Sequence, residues 1–155
     1  MKKFCILMIF SLFLLCTLSG CLTSGPYSAP LTQPMENVVN VEFLDGRKED
    51  DLFENINYDD LLIYTLTPEE TVAFMEGLQG ISFYTPNLEP SRHLGMVAAR
   101  IYYKDGCSDI IGDNCHYYIG PQFEVLDRGV RFPDEQAFYN LFEQFVDPKL
   151  LPKRD

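Results

Sequence analysis

Between Val97 and Phe132 the chain alternates short β-compatible runs with turn signals, and no other stretch constrains the fold as tightly. Val97, Ala99, Ile101 and Tyr103 share one face of an extended segment, with Arg100 and Lys104 on the other, because strand side chains alternate. Asp105-Gly106 predicts a tight hairpin into residues 108–111. Gly112-Asp113-Asn114 turns the chain again into 115–119. After Gly120-Pro121, residues 122–126 and 130–132 flank Asp127-Arg128-Gly129, which has the shape of a three-residue hairpin loop. The expectation is an antiparallel meander.

Two helical patterns bracket this region. Thr67-Pro68-Glu69-Glu70 predicts a helix start: Thr67 caps, Pro68 fits the first position and Glu70 completes a capping box. Val72, Met75 and Leu78 form the apolar stripe with Phe74 beside it, and Gly80 is the expected left-handed terminator. The closing helix has Pro133 at its start, Asp134 and Glu135 at its positive end, and Phe138, Leu141, Phe142, Phe145 and Val146 on one face. Asp147-Pro148 ends it. Further strands are expected at 39–43, where Val39, Val41 and Phe43 alternate with Asn40 and Glu42, and at 61–66 and 81–84. The acid-rich stretch 47–60 and the proline-containing stretch 86–95 read as loops. The sum is a two-layer α+β domain over residues 38–150, an antiparallel β-sheet meander with two amphipathic helices packed on one face.

The N-terminus follows a different logic. After Lys2-Lys3, the run from Phe4 to Leu18 is apolar except for Ser11 and Thr17. As a helix it would span roughly 22 Å, short of a ~30 Å hydrocarbon core, so it reads as a secretory signal over residues 1–20 rather than a transmembrane helix. Leu18-Ser19-Gly20-Cys21 closes that run and resembles the lipobox of bacterial lipoproteins. The resemblance implies cleavage before Cys21 and a thioether-linked diacylglycerol on its sulfur, which would hold the protein at the extracytoplasmic face of the cell membrane. Durable anchoring takes two or more acyl chains. Pro26, Pro30 and Pro34 stand among Ser, Thr, Gly and Gln, so residues 21–37 are expected to be a lipidated cysteine and flexible tether. The layout of signal, tether and helix–sheet–helix domain is similar to that of small uncharacterised envelope lipoproteins of Gram-positive bacteria, and that likeness carries no activity with it.

Removing residues 1–20 leaves all 23 acidic residues and 10 of the 12 basic ones, a net charge of about −13. Such a surface repels nucleic acid and anionic headgroups, so no nucleic-acid partner is expected. The same removal simplifies the cysteines: Cys5 and Cys16 leave with the signal, Cys21 takes lipid, and Cys107 and Cys115 remain. If 107–111 and 115–119 form a tight hairpin, the two thiols sit at opposite ends, roughly 13 Å apart and beyond the ~7 Å limit of a disulfide. If instead the 97–104 strand pairs directly with 116–119, a disulfide closes the neck of the intervening loop. Export favours the bond and the turn residues favour the meander.

No motif for chemistry emerges. Cys115-His116 cannot act as a nucleophile–base pair, because neighbouring strand residues face opposite ways. His93 and His116 with two cysteines make no zinc pattern, the acidic clusters lack the spacing of a calcium loop, and no metal or cofactor is expected. Tyrosines are the distinctive residues. In Tyr102-Tyr103 and Tyr117-Tyr118 one member of each pair must face away from the core, and Tyr102 and Tyr118 are the candidates for one exposed binding face. The expected function is binding of a protein or envelope component by a non-enzymatic, lipid-anchored domain. The competing expectation is an envelope hydrolase or metal-dependent enzyme with a carboxylate site.

Overall fold

The computed structural model describes residues 28–48, 57–85, 93–122, 124–127 and 132–153. The apolar N-terminal run, Cys21, the first part of the proline-spaced segment, and stretches 49–56, 86–92 and 128–131 lie outside the described residues.

The domain is α+β, built among the described residues on an antiparallel sheet of six strands in the order β2-β1-β4-β5-β6-β7. These are β1 (Val38–Asp45), β2 (Leu62–Thr65), β4 (Val97–Tyr103), β5 (Ser108–Gly112), β6 (His116–Ile119) and β7 (Val125–Asp127). A small two-stranded sheet joins β3 (Phe83–Tyr84) to β8 (Phe132–Pro133). The α-helices among the described residues are a single turn, α1 (Tyr58–Leu61), then α2 (Pro68–Gln79) and α3 (Glu135–Phe142). The β4-β5-β6 meander forms where its turn residues direct it, and Gly106 adopts φ +85° in the first turn, the left-handed region a Cβ disfavours.

Both long helices pack on one sheet face. Val41, Phe43, Val97, Ala99, Ile101 and Ile111 meet Phe74, Met75 and Leu78 of α2 and Phe138, Leu141 and Phe142 of α3. Phe43 sits at the centre, its ring 5.0 Å from Phe74 and 4.1 Å from Phe142. Each such aromatic pair is worth about 0.5–1.5 kcal/mol beyond the area it buries. The opposite face carries a second, smaller core of Leu44, Leu61, Leu94, Ala98, Ile110, Cys115, Tyr117 and Ile119. With a core on each side, every residue of β5 is buried.

Several expectations change. The capping box on α2 forms as read, with the Thr67 hydroxyl accepting from the Glu70 amide and the Glu70 carboxylate accepting from the Thr67 amide. Its buried row is instead Thr71, Phe74, Met75 and Leu78, while Val72, one residue round the helix from Thr71, is 57% exposed. Gly80 ends the helix at φ −77°, a right-handed geometry, because the last turn tightens onto the Gly77 carbonyl. Pro133 belongs to β8, and Asp134 caps α3 by accepting from the Ala137 amide at 2.9 Å.

The hairpin expected around residues 127–129 falls largely on residues 128–131, outside the described residues; of the strands that flank them, β7 pairs with β6 and β8 pairs with β3. The cause lies in the helices. β3 follows α2 and β8 leads into α3, so packing the two helices together brings those strands side by side. Val39 is 53% exposed because a register shift between Val38 and Asn40 breaks the alternation. The tether is shorter than expected: Ala29, Leu31 and Met35 of segment 28–37 pack against the main core, and Met35–Asn37 forms a 3-10 turn.

Candidate functional site

The strand registers place the tyrosines first. Ile101 pairs with Asp109 and Asp109 with Tyr118, so these three side chains share the helix-covered face. Tyr102 pairs with Ser108, and Ser108 with Ile119, on the other face. Tyr102 and Tyr118 therefore cannot form one binding surface, which corrects the sequence expectation. That expectation treated each doublet as having its second-face member exposed, whereas Tyr117 is buried in the second core and Tyr118 points toward the helices.

Around Tyr102 the outer face holds a compact polar-aromatic platform. The Arg100 guanidinium lies 4.5 Å from the ring centroid of Tyr58 and 4.6 Å from that of Tyr102. Each contact fits a cation–π geometry worth about 0.5–1 kcal/mol at an exposed site and more when desolvated. The Tyr102 hydroxyl donates to the Glu42 carboxylate, and Glu42 stands directly across the ladder from Arg100. Burial, then the hydrogen bond to Glu42, raise the Tyr102 hydroxyl well above the ordinary tyrosine range, so it stays a donor. All four side chains are half-buried, so each keeps part of its surface open to solvent.

On the helix face a buried polar cluster centres on Asp109, whose side chain is fully enclosed. Its carboxylate accepts from the Thr32 amide at 2.7 Å, the Thr32 hydroxyl at 2.6 Å and the Tyr103 hydroxyl. His116 Nε2 stands 3.4 Å from Asp109 Oδ1, close enough for an ion pair yet without the alignment of a hydrogen bond. Burial pushes the Asp109 carboxyl up, and the His116 and Thr32 interactions outweigh it, holding the group below the ordinary carboxylate range. Burial is also the leading cause that raises the Tyr103 hydroxyl. Next to this cluster the Tyr118 hydroxyl donates to Cys107 Sγ at 2.9 Å. That bond pulls the Cys107 thiol down, but burial and the Asp105 carboxylate prevail and leave it raised.

The remaining sequence candidates separate. Cys107 and Cys115 sit at opposite ends of the β5–β6 hairpin, and no disulfide joins them; the meander alternative holds because the Ser108–Ile119 and Ile111–His116 pairs set the register. Cys115 lies in the second core and His116 on the helix face, as strand alternation requires. Among the described residues no group of three His, Cys, Asp or Glu side chains could hold a metal ion, and no helix is long and apolar enough to cross a membrane. Cys21 lies outside the described residues.

Sequence reasoning did not single out Tyr58, Glu42, Arg100, Thr32 or Asp109 as members of these sites. Asp109 carried a usable signal: a carboxylate inside the β-run Ser108-Asp109-Ile110-Ile111 must be buried with partners, because an unpaired buried charge is too costly. Tyr58 carried none, since only the folding of α1 over the sheet brings it to Arg100. Comparison of this chain with protein-family models, with curated proteins and with solved structures returns no match.

Proposed function

We propose that this protein is a lipid-anchored, extracytoplasmic domain that acts by binding, holding a protein or envelope component close to the cell membrane through the outer sheet face. One observation carries the binding mode: the Arg100 guanidinium is sandwiched between Tyr58 and Tyr102, half-exposed, with Glu42 orienting the Tyr102 hydroxyl. Aromatic and arginine side chains held rigidly at a surface are the typical anchors of protein interfaces, because they bury large area at low entropic cost. The anchor rests on Lys2-Lys3, the apolar run and Leu18-Ser19-Gly20-Cys21. A binding role also fits the burial of Asp109 and His116, the acid–imidazole pair that a hydrolytic mechanism would want exposed to substrate.

Two experiments test the two halves separately. Metabolic labelling with palmitate should mark the wild-type protein and miss Cys21→Ser; an unlabelled wild type overturns the anchor. For the binding face, proteins cross-linked to the domain in intact envelopes should be lost with Tyr102→Ala and with Arg100→Ala. They should be retained with Tyr118→Ala, which alters the opposite face. Equal loss from all three variants, or from none, sinks the platform.

A further inference from the structure

The N-terminal segment 28–34 is not a strand of the sheet, yet it docks on the helix-side face through one residue used twice. Thr32 gives both its main-chain amide and its hydroxyl to the two oxygens of Asp109, at 2.7 and 2.6 Å. On either side, Leu31 and Ala29 pack partly buried against the main core, and the Gln33 amide group donates to Asp105. The Leu31 amide is satisfied locally by the Ala29 carbonyl, so the segment brings its own turn and asks the body chiefly for the carboxylate. The receiving site is built from the body of the domain: Asp109 on β5, Tyr103 on β4 and His116 on β6, all buried. His116 Nε2 is enclosed and stands 3.4 Å from Asp109 Oδ1, so it braces from the body of the domain the carboxylate that receives Thr32.

We propose that Asp109, Tyr103 and His116 form a clamp for an extended peptide segment that presents the amide and hydroxyl of one Ser or Thr, with an aliphatic residue just before it. Residues 28–34 occupy this clamp as a resident ligand, and a segment of the same chemistry in a partner protein displaces them. A carboxylate that accepts an amide and a β-hydroxyl from the same residue selects Ser or Thr over every other side chain, since only these carry both donors at that spacing. Joined to the domain at Val38, the resident segment has the advantage of high local concentration, so an outside peptide competes poorly until that segment is weakened. The clamp is a different site from the Tyr58–Arg100–Tyr102 platform and does not depend on lipid at Cys21.

The test uses the full chain in detergent and a fluorescein-labelled synthetic peptide of residues 28–37. A Thr32→Val chain should bind the peptide saturably and at least ten-fold more tightly than the wild-type chain does. A peptide carrying Val in place of its threonine should bind neither chain. If Thr32→Val gives no gain, or if the valine peptide binds as well as the threonine peptide, the clamp is wrong. Should the Thr32→Val chain lose its fold by circular dichroism, hydrogen exchange of the wild-type chain decides. Amides of 28–34 should then open well before those of β4 and β5, and exchange only with global unfolding overturns a displaceable segment.

Discussion

Thr32 and Asp109, 77 positions apart in the chain, are joined by two hydrogen bonds that satisfy both oxygens of a fully buried carboxylate. The pairing turns part of an expected tether into a structural component of the domain. It also explains why an acid can stand in the middle of a strand whose neighbours are all buried.

Thr32→Val keeps the shape of the side chain and the amide bond while removing the hydroxyl donor. A hydrogen bond to a charged group contributes about 1.5–3 kcal/mol, so urea denaturation should show a loss in that range with an unchanged m-value. A loss under ~0.5 kcal/mol would mean that water replaces the hydroxyl and the clamp is loose.

Acid should weaken the domain in a window set by Asp109. Its folded-state pKa is depressed, so the stability it contributes is present above the unfolded value of about 3.9 and is lost as pH falls through the folded pKa. Between those two values the unfolded chain binds the proton that the folded chain refuses, and stability rises with pH. The melting-temperature gap between wild type and Asp109→Asn should therefore be widest above about pH 4 and shrink on further acidification. A gap that stays constant down to pH 2 would contradict this.

Two glycines on β5 and its preceding turn should respond differently to alanine. A Cβ at Gly112 would lie 2.2 Å from the Leu94 carbonyl oxygen and 2.8 Å from Cys115 Sγ, and main chain cannot move aside. Gly112→Ala should cost about 2–3 kcal/mol or more and disturb the second core. Gly106 has φ +85° with open space around it, so Gly106→Ala should cost only the left-handed strain, about 1–2 kcal/mol. Thermal denaturation of the two variants ranks them, and the reverse order would refute the register of the β4–β5–β6 meander.

Cys107 and Cys115 should behave as protected thiols. Both are buried, no disulfide joins them, and the Cys107 thiol is raised. Peptide mapping after alkylation under native conditions should find both slow to react, and both modified in denaturant without reductant. Modification that appears only after reduction would reveal a disulfide and force the strands into the alternative pairing.

Local chemistry was legible wherever neighbours in sequence decide the structure. The Thr67–Glu70 capping box, the turns at 105–106 and 112–114, and the inward row of Val97, Ala99, Ile101 and Tyr103 all follow from contacts within a few residues. What the sequence did not show has a different origin. Pairing of β8 with β3 depends on how α2 and α3 pack, and the separation of Tyr102 from Tyr118 depends on the registers linking β4, β5 and β6. Segment 28–37 looked like a tether because its composition cannot build a core alone, yet it borrows one from the domain.

The sequence by itself determined the α+β class, the meander, the helix start at Thr67 and the resemblance of Leu18-Ser19-Gly20-Cys21 to a lipobox. Tertiary structure alone decided which tyrosine faces which side, that Arg100 lies between Tyr58 and Tyr102, and that Thr32 closes on Asp109. The physical reason is one of range. Propensity, capping and alternation act between residues a turn or a strand-length apart, whereas a platform or a clamp exists only once packing has brought distant segments into contact.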